Sequence, residues 1–178
     1  KQLAKTHYNL QILPRPELIN LALSVHPDMI TLIPGDGAGT TREGGLDVLG
    51  HLDKIGQIIK DIRAQGIVSS VRIDPEIEHV KAAARAGCDY VELSALSYSK
   101  ATIANELQDQ LRRITAAVRG AAKMEMGVCV CGGIDYQNVD PLVAVEGLEE
   151  VIAGKSVISR GLWIGLENAV RDMVALIR

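Results

Sequence analysis

Short apolar runs alternate with longer amphipathic segments along this chain of 178 residues. The runs are rich in β-branched residues and predict buried parallel strands, whereas apolar residues at near-helical spacing between them predict covering helices. The predicted strands are Tyr8–Leu13, Met29–Ile33, Ile67–Ile73, Tyr90–Leu93, Gly127–Cys131 and Glu150–Ala153. The predicted helices are Glu17–Val25, Asp47–Gln65, Glu76–Ala86, Thr102–Lys123, Val139–Val145 and Leu162–Ile177. This repeat predicts an α/β fold with a parallel sheet and right-handed crossovers.

Glycine turns follow the last two predicted strands, at Gly132-Gly133 and at Gly154. In an open doubly wound sheet the phosphate-binding glycines normally follow the first strand. In a (β/α)8 TIM barrel, the turns after the last two strands form a phosphate site, because glycines let backbone N–H groups approach the anion. The pattern therefore favours a single partial TIM-barrel domain over residues 1–178, with about six of the eight βα units. We expect two leading βα units to precede Lys1.

Composition limits the class of protein further. With 178 residues, 47% hydrophobic content and 17 glycines, the chain is long enough for one substantial core but too short for two ordinary domains. The formal net charge of −3 argues against general affinity for nucleic acid or membrane surfaces. No apolar run approaches the ~20 residues that a membrane helix needs. We expect a cytoplasmic protein.

The chain has three cysteines, Cys88, Cys129 and Cys131, and this odd number suits a reducing compartment. Cys129 and Cys131 lie in one predicted strand and are interpreted as buried apolar residues. The alternative, a Cys-x-Cys metal site, has no accompanying Cys or His cluster in the sequence. No metal is expected.

Two further features indicate chemistry. Glu92 lies between Val91 and Leu93 in a predicted buried strand, where an unpaired carboxylate is costly, so we expect it to have a partner. A functional carboxylate and a structural salt bridge are both consistent with this pattern. The segment from Gly35 to Gly45 contains five glycines, which is typical of a catalytic lid or of a flexible connector.

Motifs along essentially the whole chain resemble the pyridoxine 5′-phosphate synthase family. They are Asn9-Leu-Gln11, Leu32-Ile-Pro34, Thr40–Val48, Ile73-Asp74, Lys81–Ala84, Val91-Glu92, Gly133-Ile134, Tyr136, Asn138-Val139, Gly154 and Ser159-Arg160. The resemblance implies a cytoplasmic (β/α)8 barrel, commonly octameric, that condenses 1-deoxy-D-xylulose 5-phosphate with 3-amino-1-hydroxyacetone 1-phosphate. It implies no metal and no organic cofactor. The expected partners are phosphorylated small molecules and further copies of the chain, not nucleic acid or membrane.

The resemblance also assigns roles to individual positions. Glu92 matches a glutamate that assists the transition state, and Thr41 matches a substrate-contacting threonine of a mobile loop. Gly133 and Gly154 match glycines that hold a phosphate. These roles agree with the glycine-turn pattern described above.

Three positions depart from the family pattern. Gln11 stands where the family has a catalytic glutamate, Gly132 where it has a catalytic histidine, and Lys155 where it has a phosphate-binding histidine. An amide keeps the shape of a carboxylate but does not take up a proton, whereas an ammonium still pairs with a phosphate. The predicted catalytic residues are thus Glu92 and Gln11, and the predicted substrate-binding residues are Thr41, Gly132, Gly133, Gly154 and Lys155. None of the four histidines lies at the carboxyl end of a predicted strand.

These departures leave three functional hypotheses. The chain is an enzyme of this family with two altered catalytic positions, a barrel that binds phosphorylated metabolites without turnover, or an enzyme with altered chemistry on a related phosphorylated ketose. Losing one general acid or base typically costs ~10²–10⁴ in rate, so the two altered positions bear directly on the choice.

Overall fold

The computed structural model of the protein describes residues 5–35 and 43–177. A parallel sheet of six strands in the sequential order β1-β2-β3-β4-β5-β6 forms its centre. The strands are β1 (Asn9–Ile12), β2 (Met29–Leu32), β3 (Val68–Ile73), β4 (Tyr90–Ser94), β5 (Gly127–Cys131) and β6 (Glu150–Ile152). The predicted parallel α/β fold is therefore confirmed.

Eight helices are present in the described ranges. They are α1 (Pro16–Val25), α2 (Leu52–Ala64), α3 (Ile77–Ala86), α4 (Leu96–Lys100), α5 (Ala104–Ala122), α6 (Asp140–Val143), α7 (Lys155–Ile164) and α8 (Leu166–Leu176). None of the described helices is long and apolar enough to cross a membrane.

The sheet curls into an open half-barrel. Gln11 on β1 donates a hydrogen bond from Nε2 to Oε2 of Glu92 on β4, over 2.9 Å, although β2 and β3 lie between these strands in the sheet. Two side chains can meet in this way only if the sheet curves around a common interior. Polar side chains line part of that interior. Thr31, Ser70 and Glu92 are fully buried, and the strand register places them on the same face of the sheet as Gln11.

The helices pack on the outer surface of the sheet through one apolar face each. In α2, for example, Ile55, Ile59 and Ile62 are at most 2% exposed, which is the spacing expected for a helix face against a core. α3 ends at Gly87, whose φ of 84° is a left-handed conformation that glycine adopts without strain. The predicted end of this helix at Ala86 is confirmed.

The structure corrects the predicted carboxyl-terminal helix. Instead of one helix over Leu162–Ile177, α7 and α8 are separated at Gly165, where φ is 84° and ψ is 145°. Neither helix can continue through that conformation.

The start of the second predicted helix is also wrong. α2 begins at Leu52 rather than Asp47, because the Asp47 carboxylate accepts a hydrogen bond from the Gly50 N–H and stabilises a turn.

Candidate functional site

A cleft of about 540 Å³ opens at the carboxyl ends of β5 and β6. Its walls come from the turn after β5, the start of α7 and one side chain of β3. The lining residues are Arg72, Cys131, Gly132, Gly133, Ile134, Asp135, Ile152, Gly154, Lys155, Ser156 and Ser159. Four of the seven predicted site residues, Gly132, Gly133, Gly154 and Lys155, thus lie around one cavity.

The turn after β5 has a fixed shape. Gly132 and Gly133 have φ angles of 98° and 70°, both in the region that favours glycine. Asn138 closes the turn, because its Nδ2 donates to the Gly133 carbonyl over 2.9 Å and its Oδ1 accepts from the Asp135 N–H over 2.8 Å. Adjacent glycines and a closing asparagine together hold the backbone of this turn against the cleft.

The turn after β6 leads directly into α7. Gly154 is the residue before the helix and Lys155 is its first residue, so the unpaired N–H groups of the first turn lie beside the cleft. Ser156 donates a hydrogen bond to the Ile134 carbonyl over 2.7 Å and thereby joins α7 to the turn after β5. Backbone donors, the positive end of a helix and an ammonium group are the components of an anion site.

Three side chains form a closed network beneath the cleft. Arg72 Nε donates to Glu92 Oε1 over 2.6 Å, and Arg72 Nη2 donates to Gln11 Oε1 over 2.7 Å. The hydrogen bond from Gln11 to Glu92 completes the triangle. Glu92 is fully buried and both of its oxygens accept a hydrogen bond. The expectation that Glu92 has a partner is confirmed, and the partner is Arg72 in an ion pair.

Sequence reasoning missed Arg72, which lines the cleft while Glu92 lies beneath it. The signal was present in the chain. Arg72 lies between Val71 and Ile73 in a buried strand, just as Glu92 lies between Val91 and Leu93. Strand register then places Arg72 directly beside Glu92 in the β3–β4 pair. An ion pair between these two opposite charges in neighbouring buried strands could therefore have been predicted from the sequence.

A second, smaller cleft of about 270 Å³ shares Arg72, Gly132 and Gly133 with the first. Glu43 and Gly44 line its other side, and Glu43 forms an exposed ion pair of 2.9 Å with Lys100. The segment after Gly44 is attached to β3 at Leu46, whose N–H donates a hydrogen bond to the Arg72 carbonyl over 2.7 Å. Thr41, a predicted substrate contact, lies outside the described residues.

The three cysteines are free and buried, which confirms the prediction for Cys129 and Cys131. Burial raises the pKa of the Cys88 thiol to about 12, with Asp89 adding to the shift. Burial also raises the pKa of Cys129 and of Cys131, with the next contribution from Glu150 and Glu92 respectively. Within residues 5–35 and 43–177, no group of three or more His, Cys, Asp or Glu side chains is arranged to hold a metal ion.

Raised thiol pKa values have a measurable consequence. At pH 8 the three thiols stay protonated in the folded protein, and the thiolate is the reactive form, so we expect thiol–disulfide exchange about 100-fold or more slower than in the unfolded chain. Ellman's reagent added before and after guanidinium measures this difference. Rapid reaction of any thiol in the folded protein would contradict the assigned burial.

The whole chain matches a family model described as pyridoxal phosphate biosynthesis protein PdxJ, over residues 1–178. It is 38% identical over 178 residues to a pyridoxine 5′-phosphate synthase from Geotalea daltonii, covering all of this chain and 74% of that protein. A protein of the same name from Pelobacter propionicus is 39% identical with the same coverage. The chain therefore spans about three quarters of the length of these relatives.

Solved structures support the fold alone. The YdjI aldolase from Escherichia coli K12 has a TM-score of 0.60 at 14% identity, over 99% of this chain and 66% of that one. A 3-hexulose-6-phosphate synthase has a TM-score of 0.61 at 17% identity, over 93% of this chain and 70% of that one.

Proposed function

Because the chain belongs to the PdxJ family of pyridoxal phosphate biosynthesis proteins, we propose that it is a pyridoxine 5′-phosphate synthase. In this proposal it condenses 1-deoxy-D-xylulose 5-phosphate with 3-amino-1-hydroxyacetone 1-phosphate. The observation that carries the proposal is the cleft at the carboxyl ends of β5 and β6, which has the components of an anion site, because the two substrates and the product all contain phosphate.

The anion site has the components that a phosphate dianion requires. Gly133 and Gly154 keep side chains away from the backbone donors, and Lys155 supplies a positive charge at the beginning of α7. Ser156 fixes the distance between the two turns through its hydrogen bond to Ile134. We assign the phosphate of one substrate to this position, with Gly132 as part of the same turn.

The condensation also needs proton transfers, since amine addition, loss of water and elimination of phosphate each move protons. The residues at the predicted proton-transfer positions offer few free groups for this work. Gln11 is an amide, Gly132 has no side chain, and Glu92 uses both oxygens in hydrogen bonds. This observation favours a second candidate function, a barrel of the same family that binds phosphorylated metabolites without turning them over.

The complete architecture is part of the proposal. We assign the six strands to an eight-stranded (β/α)8 barrel, which their sequential order and common curvature support. Self-association is proposed with it, because Leu162 and Trp163 on α7 are 83% and 90% exposed and provide apolar surface for contacts between copies. Both assignments are consistent with the family resemblance.

The role of Lys155 is tested by calorimetric titration of the full chain with pyridoxine 5′-phosphate and, separately, with inorganic phosphate. We expect Lys155→Ala to weaken both affinities by about tenfold, because it removes one charge-assisted hydrogen bond. Lys81→Ala is the matched control, since Lys81 forms an exposed ion pair with Glu78 on α3. An unchanged affinity in Lys155→Ala would remove Lys155 from the anion site.

Turnover separates the two candidate functions. The full chain is incubated with both substrates and the product is followed by mass spectrometry. Formation of pyridoxine 5′-phosphate above the no-enzyme background supports the synthase, whereas binding without product supports the non-catalytic barrel. Absence of both binding and product would overturn the proposed function.

A further inference from the structure

Arg72 lies at the boundary between the buried network and the cleft. Its side chain is 16% exposed, whereas the Glu92 side chain is fully buried. Arg72 also lines both the larger and the smaller cleft, as do Cys131, Gly132 and Gly133. Gln11 is also partly exposed, but it lines neither cleft. Of the three side chains in the Gln11–Arg72–Glu92 network, Arg72 is therefore the one in a position to touch a molecule bound in these clefts.

The guanidinium has donors to spare for a ligand. Arginine carries five N–H groups in a planar arrangement. Glu92 and Gln11 take one bond each, from Nε and from Nη2. The Cys131 thiol is a further hydrogen-bond neighbour of the guanidinium. At least two N–H groups are left for a ligand among the described residues, and the contacts with Glu92 and Gln11 hold the plane of the group in place.

Charge in the cleft also favours an anionic or strongly polar ligand atom at Arg72. The charged residues that line the larger cleft are Arg72, Lys155 and Asp135. Asp135 already accepts hydrogen bonds from the backbone N–H groups of Gln137 and Asn138. A phosphate held at Lys155 leaves Arg72 available for a different part of the same molecule.

We propose that Arg72 binds an oxygen of the substrate that is not part of its phosphate, and that Glu92 and Gln11 are positioning residues that orient the guanidinium. The ligand class is a small phosphate monoester with a second polar oxygen, such as a ketone or a hydroxyl, including the hydroxyl group on the ring of pyridoxine 5′-phosphate. This inference rests on the proposed function, because it assumes that a phosphate occupies the anion site of the same cleft.

The test compares two ligands in calorimetric titrations of the full chain. The double variant Arg72→Met/Glu92→Gln removes the guanidinium without leaving a buried charge unpaired. We expect it to bind pyridoxine 5′-phosphate about 10- to 100-fold more weakly, while its affinity for inorganic phosphate changes by less than about threefold. Arg171→Met is the control for lost charge, because Arg171 forms an exposed ion pair with Glu167 on α8.

Gln11→Ala tests the positioning role, since it keeps the Arg72–Glu92 ion pair. We expect a selective loss of affinity for pyridoxine 5′-phosphate of about three- to tenfold, which a general loss of stability would not produce.

Equal affinities in the double variant and the unaltered chain would overturn the assignment of Arg72 and leave the proposed function standing. If the unaltered chain binds neither ligand, both proposals are overturned.

Discussion

Replacing Arg72 alone by methionine will lower the free energy of unfolding by about 3–5 kcal/mol, because the fully buried Glu92 loses its ion-pair partner. The amide of Gln11 still donates to Glu92, but an amide carries no compensating charge. Urea denaturation followed by circular dichroism measures the loss.

The matched control for this loss is the double variant Arg72→Met/Glu92→Gln. It exchanges an ion pair for uncharged side chains of similar size, which is often close to neutral for stability. We expect it to recover most of the free energy that Arg72→Met loses. Equal losses in the single and double variants would show that packing of the arginine, rather than its charge, stabilises this part of the sheet.

Gly133→Ala will lower the free energy of unfolding by about 2–5 kcal/mol and abolish phosphate binding at the cleft. The backbone contributes part of this loss, because a φ of 70° costs a residue with a side chain roughly 1–2 kcal/mol. Steric overlap contributes the rest, because the new Cβ would lie 2.6 Å from the Cβ of Ser99. Ser99 lies in α4, so its Cβ cannot rotate away as its hydroxyl can.

Ser99→Gly provides the control for the steric part. Combined with Gly133→Ala, it removes the overlapping atom and leaves only the backbone cost, so about half of the lost stability should return. The comparison uses denaturation midpoints, with Ser99→Gly alone as the reference state. A Gly133→Ala variant as stable as the unaltered chain would mean that the turn after β5 adopts another conformation in solution.

The order and type of the strands could be predicted because each is a short apolar run bounded by turn residues. α4 and the break between α7 and α8 could not be predicted in this way. α4 has only five residues, Leu96–Lys100, and it follows β4 with no polar segment between them. Gly165 alone marks the break, and an isolated glycine within an apolar helical pattern is usually tolerated rather than a helix end.

The candidate site was predictable in its parts but not in its geometry. Glycine turns at neighbouring strand ends predicted which residues line the larger cleft, because residue type alone indicates where backbone N–H groups are accessible. The sequence pattern identified Glu92 as a buried carboxylate. It did not identify Arg72, because the curvature of the sheet determines which charged side chain reaches the cleft. The structure also limits the reintroduction of an imidazole at Gly132, because its φ of 98° is unfavourable for any residue with a side chain.

The Gln11–Arg72–Glu92 network constrains how this sequence can have diverged. A carboxylate at position 11 would face Glu92 across a hydrogen bond of 2.9 Å, with one guanidinium to balance two charges. Loss of Arg72 would leave Glu92 unbalanced. Since each single change disturbs the charge balance of three strands, the favourable mutational routes alter two of these positions together. We therefore expect the identities at positions 11, 72 and 92 to be inherited as a set, with strong epistasis among them.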